Sequence, residues 1–102
     1  MIRHLVLLRF QPDVTAAEKA ALMAGLDALR EHLPGMLAFT ALANTSPEDP
    51  VVHGFRDGFA IDLADAAARD AYLADPAHRA LGARLVAACG GLDGLVVFDH
   101  AL

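Results

Sequence analysis

Apolar residues recur with two different periods along this chain, and the changes of period divide it into six elements. Ile2 to Phe10 is apolar with partial alternation and is bounded by Gln11-Pro12-Asp13, which predicts a β-strand. Thr15-Ala-Ala-Glu18 has the form of a capping box, in which the Thr hydroxyl and the Glu carboxylate satisfy the first free amides of a helix. Leu22, Leu26, Leu29 and Leu33 follow at helical spacing, Lys19, Asp27, Arg30 and Glu31 fall on other faces, and Pro34-Gly35 ends the run. Met36 to Ala43 predicts a second strand. Asn44 to Asp57 predicts a loop, with turn signals at Ser46-Pro47 and Asp49-Pro50, and Gly58 to Asp62 a short third strand. An Ala-rich helix begins at Asp65 and runs through Leu73. Pro76 stops or kinks it, and a second helical piece runs from Ala77 to about Ala88, where Cys89-Gly90-Gly91 terminates it. Leu95 to Asp99 predicts the closing strand.

The order is β-α-β-β-α-β, an α+β class chain with the ferredoxin-like arrangement of a four-stranded antiparallel sheet. Such a unit packs its helices on one sheet face, and the other face should then be polar. Here it is not. On the first strand His4, Val6, Leu8 and Phe10 point one way, while Leu5 and Leu7 point the other, flanked by Arg3 and Arg9. The closing strand is apolar on both faces as well. A sheet apolar on both sides is covered on both sides. With two helical regions available, the simplest second cover is another copy of the same sheet, which gives a homodimeric α+β barrel.

Composition strengthens that expectation. The 102 residues suit a single domain over 1–102, and 56% of them are hydrophobic, above the usual share of about 45–50%. A monomer this small has little interior for the excess, so an oligomer is expected. The formal net charge is −5 with only 8 Lys and Arg, scattered without a basic stripe. That argues against a nucleic-acid partner and against an anionic membrane surface. The single cysteine, Cys89, excludes an internal disulfide and fits a reducing compartment. No secretory h-region and no apolar run of membrane-spanning length is visible, so a cytoplasmic location is expected.

The chemistry-bearing stretch is Tyr72-Leu-Ala-Asp-Pro76-Ala-His78, which places a phenolic hydroxyl and an imidazole on either side of a proline break. His78 shares a helical face with Leu81 and Leu85 and so points inward. A lone inward histidine is more often a core residue bonded to backbone than a catalyst. A neutral imidazole in an apolar pocket is also suited to act as general base on a proton alpha to a carbonyl. Tyr72 is either a core aromatic whose hydroxyl reaches the surface or a donor to a substrate carbonyl. His32 lies near the end of the first helix, where its partial charge suits the dipole. His53 and His100 are expected in solvent. Asp62, Asp65 and Asp70 are read as caps and solvated charges around a helix start. Cys89 is read as a buried small hydrophobe. No ligand spacing demands a metal, and no nucleotide-phosphate loop or hydrolase motif is present.

His4-Leu-Val-Leu-Leu-Arg-Phe10, Gly54 ahead of the third strand, Tyr72-Leu-Ala-Asp-Pro76-Ala-His78 and Val97-Phe98-Asp99 follow one another over nearly the whole chain. In that order they resemble the stress-responsive A/B barrel (Dabb) family. The resemblance implies a dimeric α+β barrel. In polyketide-cyclising members it implies cofactor-independent aldol chemistry by a tyrosine and a histidine matching Tyr72 and His78, with a first-strand histidine matching His4 at the substrate. The chain departs from those members at two pocket positions, carrying Leu26 and Asp57 where they have a tyrosine and a histidine. The expectation is a homodimer with a pocket for a small apolar carbonyl compound. Its possible chemistry is aldol, cyclase or lyase acid–base chemistry, with Tyr72 and His78 catalytic, His4 binding substrate and no cofactor. The alternative is a non-catalytic stress-associated or ligand-binding dimer. A cofactor-free monooxygenase-like reaction stands behind both, because no flavin or haem motif is present.

Overall fold

In the computed structural model, which describes residues 1–102, β1 (Ile2–Leu8), β2 (Met36–Ala43), β3 (Asp57–Leu63) and β4 (Leu95–Ala101) form one sheet in the order β2-β3-β1-β4. All three pairings are antiparallel. This is the ferredoxin-like arrangement that the element order predicts. Between the strands lie α1 (Ala16–Ala28), the single turn α2 (Asp49–Val52), α3 (Ala66–Ala74) and α4 (Pro76–Ala88).

Besides shifts of two residues at the ends of β1 and β4, local details depart from the sequence pattern in three places. The first helix tightens into a 3₁₀ turn over Leu29–Glu31, so Leu29 still reaches the core although the α-helical ladder has ended. The loop after β2 contains α2, with Pro50 in its first turn, where a missing amide costs nothing. β3 is longer than Gly58 to Asp62 because Asp57 pairs with both Leu8 and Ala43. At the start of α1 the Glu18 amide donates to the Thr15 hydroxyl at 3.1 Å, which is the capping half of the predicted box.

One sheet face carries the core. Val6, Leu8, Phe59, Ile61 and Leu63 meet Leu22 and Leu26 of α1, Tyr72 of α3 and Leu85 of α4. Each such side chain contributes about 1.5–3 kcal/mol on full burial. Cys89 lies in the same cluster, and burial pushes its thiol above the ordinary value, as expected of a small hydrophobe. The other face has no helix on it. There Leu5 stands opposite Phe98 and Leu7 opposite Val96, and Phe98 is 60% exposed. No helix of the protein is long and apolar enough to cross a membrane.

Candidate functional site

Strand register builds half of the site. His4 and Asp99 are direct partners across the β1–β4 ladder, so their side chains leave the same sheet face next to each other. His4 Nδ1 donates to Asp99 Oδ1 at 2.6 Å, and Arg69 of α3 stands 3.8 Å from the other carboxylate oxygen. A carboxylate only accepts, so this bond fixes the proton on Nδ1 and leaves Nε2 free. His4 is 4% exposed, the one polar residue in the fully buried set.

The proline break builds the other half. Asp75 is extended (φ −63°, ψ 127°) and is at once the last residue after α3 and the N-cap of α4. Its Oδ2 accepts the amide of His78 at 2.9 Å, and Pro76 occupies the first helical position. Its Oδ1 accepts from His32 Nε2 at 2.9 Å, so His32 is fixed by this carboxylate rather than by the dipole of the first helix. Tyr72, in the last turn of α3, and His78, in the first turn of α4, thereby face each other. Their ring centres are 4.0 Å apart, and the His4 ring meets Tyr72 edge-on at 5.5 Å. The three residues singled out by sequence therefore converge.

They border a cavity of about 200 Å³, whose walls also include Val6, Phe59, Gly82, Leu85 and Asp99. The Tyr72 hydroxyl and His78 Nδ1 are the only buried side-chain polar atoms in the protein without a hydrogen-bond partner. Burial pushes the Tyr72 hydroxyl above its usual range, so it remains a proton donor at neutral pH. Burial likewise lowers His78 from the ordinary imidazole value. The neighbouring His4 adds to this, against smaller opposing pulls from the Leu73 carbonyl and Asp75. A donor hydroxyl and a neutral imidazole beside one mostly apolar space can polarise a carbonyl and take an adjacent proton.

The positions where the chain departs from the cyclising pattern lie elsewhere. Leu26 is fully buried in the core, and Asp57 pairs with Lys19 at 3.3 Å. Asp65 caps α3, and Asp62 pairs with Arg3 at 2.8 Å on the opposite face of the sheet. No group of three or more His, Cys, Asp or Glu side chains could hold a metal ion. A larger concavity between α1 and α4 has Glu18 and Arg84 as its only charged lining residues. Asp99 and Arg69 received no role from the sequence. The available signal was the alternation of Leu95, Val97 and Asp99 on one face of β4, but only the pairing register brings Asp99 beside His4.

A β-α-β-β-α-β sheet with helices on one face, an apolar second face and a mostly apolar pocket bordered by a few polar side chains defines an A/B-barrel domain. The chain belongs to the stress responsive A/B barrel domain family, Dabb, whose model matches residues 2–101. A dimeric ferredoxin-like protein of unknown function from Jannaschia sp. is 34% identical, with 99% of this chain and 98% of that one covered and a TM-score of 0.88. An Arabidopsis thaliana protein is 24% identical over 100% and 95% of the two chains, with a TM-score of 0.86. Hydroxynitrile lyase from Passiflora edulis is 17% identical over 99% and 92%, with a TM-score of 0.84. At those identities the last two likenesses are of fold alone. No curated protein matches the chain.

Proposed function

We propose that this protein is a homodimer, joined through the helix-free sheet face, that binds a small and mostly apolar carbonyl compound and moves a proton on it without a cofactor. The observation that carries this reading is the pair of unpartnered buried polar atoms, Tyr72 Oη and His78 Nδ1, on residues that line one cavity. Buried polar groups are ordinarily hydrogen-bonded. Two that are not, three helical positions on either side of one capping residue, suit a ligand oxygen and a ligand proton. The dimer reading rests on the helix-free face of half-buried Leu5 and Leu7 and exposed Val96 and Phe98, and on the dimeric state of the Jannaschia relative.

In this mechanism the substrate carbonyl accepts a hydrogen bond from Tyr72. His78 takes the proton from the adjacent carbon, and the C–H electron pair becomes the enolate, whose oxygen charge the tyrosine hydroxyl stabilises. The enolate carbon attacks a second carbonyl, forming a carbon–carbon bond, and the imidazolium returns the proton to the new alkoxide. The same steps reversed cleave such a bond, which is the lyase direction. His4, held by Asp99, lines the substrate space.

The test is deuterium exchange at the α-carbon of small ketones in D₂O, followed by proton NMR. Wild-type protein should accelerate exchange of cyclohexanone over buffer. Tyr72→Phe and His78→Ala should each remove about 10²-fold or more of that acceleration. Tyr72→Phe deletes a hydroxyl with no protein partner, so its stability should hold or rise by up to about 1 kcal/mol. Wild-type protein without any acceleration, or both variants exchanging at the wild-type rate, would leave a carrier role as the better reading.

A further inference from the structure

Gly82 lies in the middle of α4, a helix that uses alanine at five positions: Ala77, Ala80, Ala83, Ala87 and Ala88. Glycine in a helix interior is less favourable than alanine because it loses more backbone freedom on folding. A glycine kept there needs a reason. Of the eight glycines in the chain, four without a positive φ would drive a Cβ into a neighbour, as at Gly25, where it would come within 2.8 Å of Leu81 Cδ2. Three others have a left-handed backbone. Gly82 has neither reason: its φ is not positive, and a Cβ built on it meets nothing within 4 Å.

Gly82 is nevertheless part of the cavity wall. It sits one turn beyond His78 and three residues before Leu85, on the inward half of the helix. A side chain there would enter the space that begins at Tyr72 and His78. We infer that Gly82 is a specificity-determining position, its missing side chain leaving room for a short apolar substituent on the bound carbonyl compound. The inference rests on the binding reading above and extends it to the shape of the ligand. An apolar cavity of about 150 Å³ accommodates a benzene ring. The 200 Å³ here takes a six-membered ring with a small extension, and Gly82 is where the extension fits.

The chain has one tyrosine, Tyr72, and no tryptophan, so tyrosine fluorescence reports binding at this cavity directly. Cyclohexanone and 4-propylcyclohexanone are the probes, each titrated against wild type, Gly82→Ala, Gly82→Ser and Gly25→Ala. Gly82→Ala should raise the melting temperature of the ligand-free protein by about 4 °C. It should lower the affinity for the propyl compound relative to the unsubstituted ring by about tenfold, the scale of one methylene in a tight apolar pocket. Gly82→Ser should shift that ratio the same way. Gly25→Ala should lose stability without changing the ratio. Equal weakening of both probes by Gly82→Ala, or a drop in melting temperature, would overturn the assignment. If neither probe perturbs Tyr72 in wild type, the pocket reading and this inference fall together. Size-selective binding without α-proton exchange would sink the catalytic reading and leave the role of Gly82 standing.

Discussion

At the level of single residues, the protein places two histidines in one pocket and treats them differently. His4 has a carboxylate partner in Asp99, while His78 has no partner at Nδ1 and is lowered chiefly by burial. The lowered value links His78 to stability. The unfolded chain takes up the proton at the ordinary imidazole value of 6.5, while the folded chain resists it. The stability tied to neutral His78 is therefore complete above about pH 6.5. It is lost progressively as the pH falls from there through the lower folded value. Urea midpoints of wild type and His78→Gln, followed from pH 7.5 to 5, should diverge, with wild type losing more on acidification. Parallel curves would contradict the burial of a neutral imidazole. The pairs of Asp75 and Asp62 act in a separate window, below the ordinary carboxyl value of 3.8, since both groups are lowered by their partners.

At the level of elements, the α3–α4 junction decides whether Tyr72 and His78 meet. Pro76 alone would only end a helix. Asp75 makes the ending into a corner, because its carboxylate caps α4 at the His78 amide and also accepts from His32 beside the first helix. Asp75→Ala frees the His78 amide and releases His32. We expect a lower melting temperature and a loss of α-proton exchange larger than the loss of fold predicts. Asp75→Ser retains a capping oxygen but lacks the second one for His32, so it should recover stability in part. If Asp75→Ala exchanges protons at the wild-type rate, the corner does not position His78. The strands supply the opposing wall by a stricter rule. Their side-chain period of two means that a one-residue slip of β4 would turn Asp99 away from His4.

At the scale of the whole molecule, the sheet has one face under helices and one face bare. Leu5, Leu7, Val96 and Phe98 form a contiguous apolar strip on the bare face, which a soluble monomer would leave in water. Leu7→Lys places a charge in the middle of that strip without touching the core side of β1. Light scattering should find wild type dimeric at micromolar concentration and Leu7→Lys monomeric or unfolded. A dimer of wild-type size in the Leu7→Lys variant would move the interface elsewhere. The melting temperature of wild type should also rise with protein concentration, as association of folded chains requires.

The element order, the two-faced sheet and the inward direction of His78 could be read along the chain. Those follow from local periodicity, from caps and from proline, which act over a few residues. Tyr72 and His78 were legible for the same reason, since the break between them is local. The remaining features depend on contacts between distant parts of the chain. Asp99 becomes the partner of His4 across 95 residues of chain, and His32 binds Asp75 across 43. Such pairings depend on register and on helix docking, and neither is written in the spacing of either partner. The emptiness beside Gly82 is the clearest case. A glycine in a helical pattern looks the same whether it faces a packed neighbour or a cavity, and only the positions of the surrounding side chains distinguish the two.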